Sequence, residues 1–234
     1  MFDKATNIEL KRINKNNIYR AVITQKKTSK QEIAYRLNLS LPTVTQNLNE
    51  LMEIGLVEQE GTFQSTGGRK AKIISSNPRA RAALGLDITQ NHVNLVMADL
   101  EASVLNSVRK RISFRADEEY FQTLKCMIND MVKSADVPPN HILGVGVSLP
   151  SLLRDDGRVL TYAPLLEGSL DLYQDLKAYI DYSYRFINDA NAGGFAELCC
   201  GQIGKNALYL LLSNTVGGAI IMDGKLYRGE GGRG

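Results

Sequence analysis

The stretch from Ser29 to Lys72 constrains this chain more than any other, because helical periods, turn signals and cations follow one another in a fixed order. It opens SKQEIAYRLNLSLPTVTQNLNELMEIGLVEQEG and closes TFQSTGGRKAK. Ser40 predicts an N-cap, since its hydroxyl can accept a backbone N–H that a helix start leaves orphaned. Pro42 then falls in the first turn, where no N–H is needed. From there Val44, Leu48 and Leu51 recur at i, i+4 and i+7, the spacing that buries one helical face. Thr43, Thr45, Gln46, Asn47 and Asn49 are expected to point the other way, as short polar side chains suited to bonding base edges in a major groove. Before the turn, Ile33, Ala34 and Leu37 give the inward face of a shorter helix starting at Thr28 or Ser29. Helix, tight turn and a second helix with a polar outer face make the helix-turn-helix pattern.

A β-ribbon signal extends the pattern. Leu56–Glu60 and Ala71–Ile74 read as two short strands, and the loop between them holds Gly67-Gly68-Arg69-Lys70. Two glycines let backbone lie close to another surface, and the adjacent cations suit phosphate or a narrow minor groove. A plain hairpin with a solvated basic tip competes for the loop, and any small helical pair in a core competes for the helices. Taken together they favour a winged helix-turn-helix DNA-binding domain over residues 1–80. Its candidate contacts are Ser40, Thr43, Thr45, Gln46, Asn47, Asn49, Gly67, Gly68, Arg69 and Lys70.

Charge separates the two ends of the chain. Residues 1–81 carry 14 Lys+Arg against 7 Asp+Glu, a balance of +7, whereas residues 82–234 carry 14 against 18, a balance of −4. A basic module joined to an acidic body suggests a polyanion partner at one end only. No apolar run reaches the roughly 20 residues a membrane span needs, and the start lacks the apolar core of a signal peptide, so a cytoplasmic location is expected. Cys126 and the adjacent Cys199 and Cys200 have no metal spacing and are expected to be small buried hydrophobes.

In chain order, Thr6 is a possible cap for a first helical stretch carrying Ile8, Leu10 and Ile13. Asn14–Gln25 then supports the motif through Ile18, Val22 and Ala21, and Lys11, Arg12 and Lys15 are candidates for flanking phosphates or a solvated face. A short polar linker around Pro78 marks the boundary near residue 80. Beyond it three strands are expected (ALGLDIT, HVNLVMADL, SVLNSVRKRISF), then a helix over 118–135 and an apolar strand over 141–149. A helix over 170–180, a strand over 184–187, a helix over 189–200 and two final strands complete an α/β domain with a mixed sheet. In such sheets ligands sit beyond the carboxyl ends of strands.

At those strand ends the residues can be compared with a family. Leu86-Asp87, GVGVSLP at 144–150, GRVLTYAP at 157–164, NDANAGGFAE at 188–197 and VGGAIIMDGKLYRG at 216–229 resemble the ROK family of sugar kinases and sugar-responsive repressors. The resemblance implies an actin-like (ribonuclease H-like) ATPase fold, with residues 81–234 the N-terminal portion of a ROK-type sugar-binding domain. The winged helix and STGGRK at 65–70 resemble the repressor branch, of the xylose and N-acetylglucosamine repressor type. The resemblance further implies that Asn188 and Asp189 contact sugar, Asp189 matching the kinases' proton-accepting base, with Ser148 and Glu167 near the same cleft. Read without the family, Asn188-Asp189 is a helix cap.

Departures from the family decide between its branches. Family kinases place glycines after the first Asp so that backbone N–H groups approach ATP phosphates, whereas Asp87 is followed by Ile88-Thr89-Gln90-Asn91. The second phosphate loop reads Ser213-Asn214-Thr215-Val216-Gly217-Gly218-Ala219 and keeps only the central pair of glycines. Phosphoryl transfer is therefore not expected, and no catalytic residue is assigned. The family's Trp and Asn near 165–170 have no counterpart here, and His92 and His141 match no motif. The family's Glu-x-x-His contact and zinc-binding cysteine cluster lie past residue 234, so no cofactor or metal is expected in this chain, which reads as a fragment or truncated gene product. The expectation is a sugar-responsive, DNA-binding repressor with operator DNA and a sugar or sugar phosphate as partners, homodimeric or larger when full length. The alternative is a ROK-type sugar kinase with an accessory DNA-binding domain.

Overall fold

Two units form, Met1–Ala80 and Arg81–Gly234, each around its own buried apolar cluster. The structure is a computed structural model and describes residues 7–63, 70–154, 157–166, 168, 171–213 and 216–229. The cap expected at Thr6 lies outside them.

The first unit begins with α1 (Asn7–Gln25), one continuous helix where the sequence suggests two stretches. The polar run Asn14–Asn17 does not break it, because Ile18 and Val22 immediately afterwards are both fully buried and hold the helix against the core. Ile8 and Leu10, on the first turn, stay exposed. α2 (Lys30–Leu37) is capped by Ser29, whose Oγ accepts from the Glu32 amide, and stops at Asn38 in the left-handed region, φ 52°. α3 (Leu41–Glu53) is capped by Ser40 and ends before Gly55, whose φ of 76° an L side chain would resist. β1 (Val57–Thr62) pairs antiparallel with β2 (Lys72–Ser76). Thr28 is not the cap of α2: its amide and carbonyl both bond Ile74, at 3.0 and 2.8 Å, tying the α1–α2 loop to the β-ribbon. Ile33, Val44, Leu48, Leu51, Val57 and Ile74 close this core with Ile18 and Val22. Each contributes about 2 kcal/mol of transfer free energy when removed from water.

The second unit holds a five-stranded sheet in the order β5-β4-β3-β6-β9. Its strands are β3 (Ala82–Ile88), β4 (His92–Asp99), β5 (Val104–Arg111), β6 (Ile142–Leu149) and β9 (Tyr184–Asn188). β3, β4 and β5 are antiparallel neighbours, and β6 joins β3, and β9 joins β6, in parallel. Helix α4 (Glu118–Ser134) buries Phe121, Leu124, Ile128, Met131 and Val132 at helical spacing. Between β6 and β9 lie a hairpin that sequence periodicity does not reveal, β7 (Leu152–Arg154) with β8 (Val159–Tyr162), and a single short turn of helix, α5 (Leu172–Leu176). Helix α6 (Asp189–Cys199) then leads to a separate antiparallel sheet of β10 (Ala207–Leu212), β11 (Val216–Met222) and β12 (Lys225–Tyr227).

The α6–sheet contact is close. A Cβ on Gly194 would sit 2.8 Å from the Ala219 Cβ, and one on Gly217 would sit 3.0 Å from that of Ala190, so glycine is what allows the helix to approach. The opposite face of the small sheet leaves Leu208, Leu210, Leu212, Val216 and Met222 exposed. The cysteines also depart from expectation, since Cys126, Cys199 and Cys200 are all exposed thiols. Cys126 falls between the inward rows of α4, and the vicinal pair sits at the carboxyl end of α6.

Candidate functional site

The amino end of α3 is built from its own cap. Ser40 Oγ accepts from the Thr43 amide at 3.3 Å and lies 2.8 Å from Thr43 Oγ1, so the two hydroxyls engage one another. Gln46 and Asn49 are exposed and Thr43 and Thr45 half-buried, which places these four on the outward side. Asn47 is a correction. It is 2% exposed and donates from Nδ2 to the Thr43 carbonyl at 2.8 Å, while its Oδ1 is buried without a partner among the described residues. The reason is spacing: Asn47 stands at i+3 from Val44 and one residue before Leu48, inside the buried stripe.

Two further residues of this unit escape assignment from sequence. Tyr35, 88% exposed on α2, stands out only because the remaining apolar residues of that helix turn inward. Glu50 of α3 receives Lys11 at 2.6 Å and Lys15, which together hold its carboxyl below the usual range. Two of the three cations considered for flanking phosphates are thus joined to the helix they flank. In the wing, Lys70 is exposed. Gly67, Gly68 and Arg69 lie outside the described residues.

A second cluster gathers at the carboxyl ends of three parallel strands. Asp87 on β3 is opposite Ser148 on β6, and Ser148 is opposite Ile187 on β9, so Asn188 and Asp189 follow directly on the same edge. Asn188 caps α6 by accepting from the Asn191 amide at 3.0 Å. Its amide nitrogen donates to the Ser151 carbonyl at 3.0 Å and to Asp189 Oδ1 at 3.1 Å, which spends both of its N–H groups on the fold. Asp189 Oδ1 also accepts from the Ala190 amide at 2.8 Å, leaving Oδ2 without a side-chain partner among the described residues. Burial holds the Asp189 carboxyl above the usual carboxylate range, and the charge of Asp87 pushes it the same way. Asp87 accepts from Asn94 at 2.8 Å. Two buried polar atoms without partners among the described residues, Ser151 Oγ and Asn191 Oδ1, belong to residues that bond Asn188. Glu167 lies outside the described residues.

The loop after Asp87 is closed upon itself. Thr89 donates its amide to the His92 carbonyl at 2.9 Å, and its hydroxyl both donates to that carbonyl and accepts the His92 amide, each at 3.0 Å. An amide committed to a hairpin is not offered to a phosphate. Gly217 and Gly218, the retained pair of the second loop, lie in β11, where Gly217 serves the contact with α6. Asn214 and Thr215 lie outside the described residues.

These features define a class: a winged helix-turn-helix unit followed by the first part of an actin-like ATPase fold. Residues 83–234 match the ROK family, and residues 16–62 match the iron dependent repressor N-terminal DNA binding domain. The chain belongs to the ROK family. It is 28% identical to the xylose repressor of Caldicellulosiruptor bescii over 95% of this chain and 57% of that protein. It is 24% identical to the xylose repressor of Bacillus subtilis, over 98% and 60%, and 24% identical to the transcriptional regulator NagC of Escherichia coli, over 97% and 57%. The chain thus spans 57 to 60% of the length of these relatives. Among solved structures, a ROK family transcriptional regulator described as a homolog of the E. coli MLC protein matches with a TM-score of 0.75 at 18% identity, covering 96% of this chain and 58% of that one. A ROK family glucokinase from Streptomyces griseus matches with a TM-score of 0.54 at 20% identity, covering 65% and 48%. Both likenesses concern the fold alone. No helix among the described residues is long and apolar enough to cross a membrane.

Proposed function

We propose that this chain is a sugar-responsive transcriptional repressor of carbohydrate genes. The observation that carries the reading is a winged helix joined, in one chain, to a ROK domain whose phosphate loop after Asp87 is spent on its own hairpin. Relatives that align along the whole chain are named repressors, which supports the same branch. In this reading Thr43, Thr45, Gln46 and Asn49 meet base edges, and Arg69 and Lys70 meet phosphate or minor groove. Asp189 Oδ2 is the acceptor offered to a sugar hydroxyl, while Asn188 holds that carboxylate in place. Sugar binding in a homodimer shifts the two winged helices away from their half-site spacing and releases DNA.

The kinase reading draws on Asp189, whose raised pKa suits a general base. Coupled ADP release across a sugar panel separates the two, and turnover with any sugar would overturn the repressor assignment. The repressor reading itself is tested with the full chain on duplex DNA selected from a random pool, at fixed and stated salt. Binding should weaken with one sugar of a panel, and Asp189→Ala should bind DNA as before yet ignore that sugar. A variant released as readily as the parent chain ends the effector assignment.

A further inference from the structure

The tip of α3 carries an apolar surface that the fold does not use. Leu41, its first residue, is 47% exposed and belongs to neither buried cluster. Pro42 beside it is also exposed. Leu41 stands one turn before Thr45 and two before Asn49, on the outward side of the helix. The neighbouring hydroxyls, Ser40 and Thr43, bond one another at 2.8 Å.

The charge pattern points the same way. Acidic residues are favoured in the first turn of a helix, and α1, α2, α4, α5 and α6 each carry at least one: Glu9, Glu32, Glu118 with Glu119, Asp175 and Asp189. α3 carries none in its first turn. An acid there would oppose a phosphate backbone, and an apolar residue there does not. In B-DNA the apolar feature of the major groove is the thymine 5-methyl group, which small and branched apolar side chains contact directly. Recognition helices bring their amino-terminal residues to the base edges.

We propose that Leu41 is a specificity-determining residue that reads a thymine methyl group in the major groove. This rests on the DNA-binding reading above and adds a preferred base to it. Isolated exposed leucines are common on protein surfaces, so the competing outcome is a side chain that meets only solvent.

The experiment uses the full 234-residue chain and a duplex enriched by it from a random pool, at one stated salt concentration. Each thymine is replaced singly by deoxyuridine, which removes one methyl and leaves the pairing intact. One thymine in each half-site should be sensitive, its replacement costing the parent chain about fourfold in affinity, the value of one buried methyl. Leu41→Ala should bind the thymine duplex more weakly and show no further loss with deoxyuridine at that position. Leu41→Met, which keeps an apolar contact, should retain the sensitivity. Equal losses for the parent chain and Leu41→Ala at every thymine, or no sensitive thymine, overturn this inference while leaving DNA binding intact. If no duplex is enriched over the starting pool, the DNA-binding reading falls, and this inference with it.

Discussion

Helices α3 and α6 start with the same local device and use it for opposite ends. Each begins at a side-chain cap, Ser40 for α3 and Asn188 for α6. Among the described residues the Ser40 hydroxyl bonds only within its own turn, and the outward residues behind it meet solvent. Asn188 reaches from its own helix to Ser151 in the β6–β7 connection and steadies an acid whose ionisation burial opposes. A cap of the first kind presents a surface. A cap of the second kind holds an acid at the carboxyl ends of the parallel strands.

The contrast breaks most visibly by truncating both caps. Asn188→Ala removes the cap bond and strands the Ser151 carbonyl, for an expected loss of about 2–4 kcal/mol. Ser40→Ala should cost about 1 kcal/mol. Thermal unfolding followed by circular dichroism measures both, and the two substitutions should lower different transitions if the units unfold separately. Equal losses would mean that the bonds to Ser151 and Asp189 add nothing.

Asn47 sharpens the contrast from the side of α3. Its buried Oδ1 lacks a partner among the described residues, which costs about 1–3 kcal/mol, more than its single bond to the Thr43 carbonyl returns. Asn47→Leu is therefore expected to raise stability by about 1 kcal/mol and leave DNA affinity within twofold. A large loss of affinity would instead restore Asn47 as a DNA contact.

The same helix shows how far sequence reaches. Ser40, Pro42, Val44, Leu48 and Leu51 are legible because a cap and a helical period are local signals. Asn47 is misplaced when residue type is weighed above its i+3 position from Val44. In the second unit, strands β3 to β6 and helix α4 are legible from alternation and period, but the β7–β8 hairpin is hidden in a turn-rich stretch. The split of the larger strands into a five-stranded and a three-stranded sheet and the influence of Asp87 on Asp189 depend on strand order, which no local period encodes.

The acid at the strand ends gives the next test. Because the folded-state pKa of Asp189 is raised, the ionised form costs stability above that pKa, and the cost disappears as pH falls below the unfolded value of about 3.9. Asp189→Asn should raise the melting temperature at pH 7–8 and lose that advantage near pH 4 and below. A gain that is the same at both pH values would assign it to packing, and the start of α6 would no longer differ electrostatically from the tip of α3.

The smallest stability effect is expected at Glu50, where α3 meets α1. Its pKa is lowered by Lys11 and Lys15, so its contribution is present at neutral pH and lost as pH falls from the unfolded value of about 4.3 through the lowered one. All three side chains are partly exposed, at 27 to 49%, so Glu50→Gln should lower the melting temperature only slightly, and less at high salt. Its effect on DNA is expected to run the other way. Glu50 holds two cations that would otherwise be available to phosphate, and each phosphate contact adds about 0.9 to the dependence of log affinity on log salt. Glu50→Gln should therefore tighten binding at low salt and steepen that slope by about 1 to 2. An unchanged slope would place Lys11 and Lys15 away from the DNA, leaving the tip of α3 and the wing as the surface that meets it.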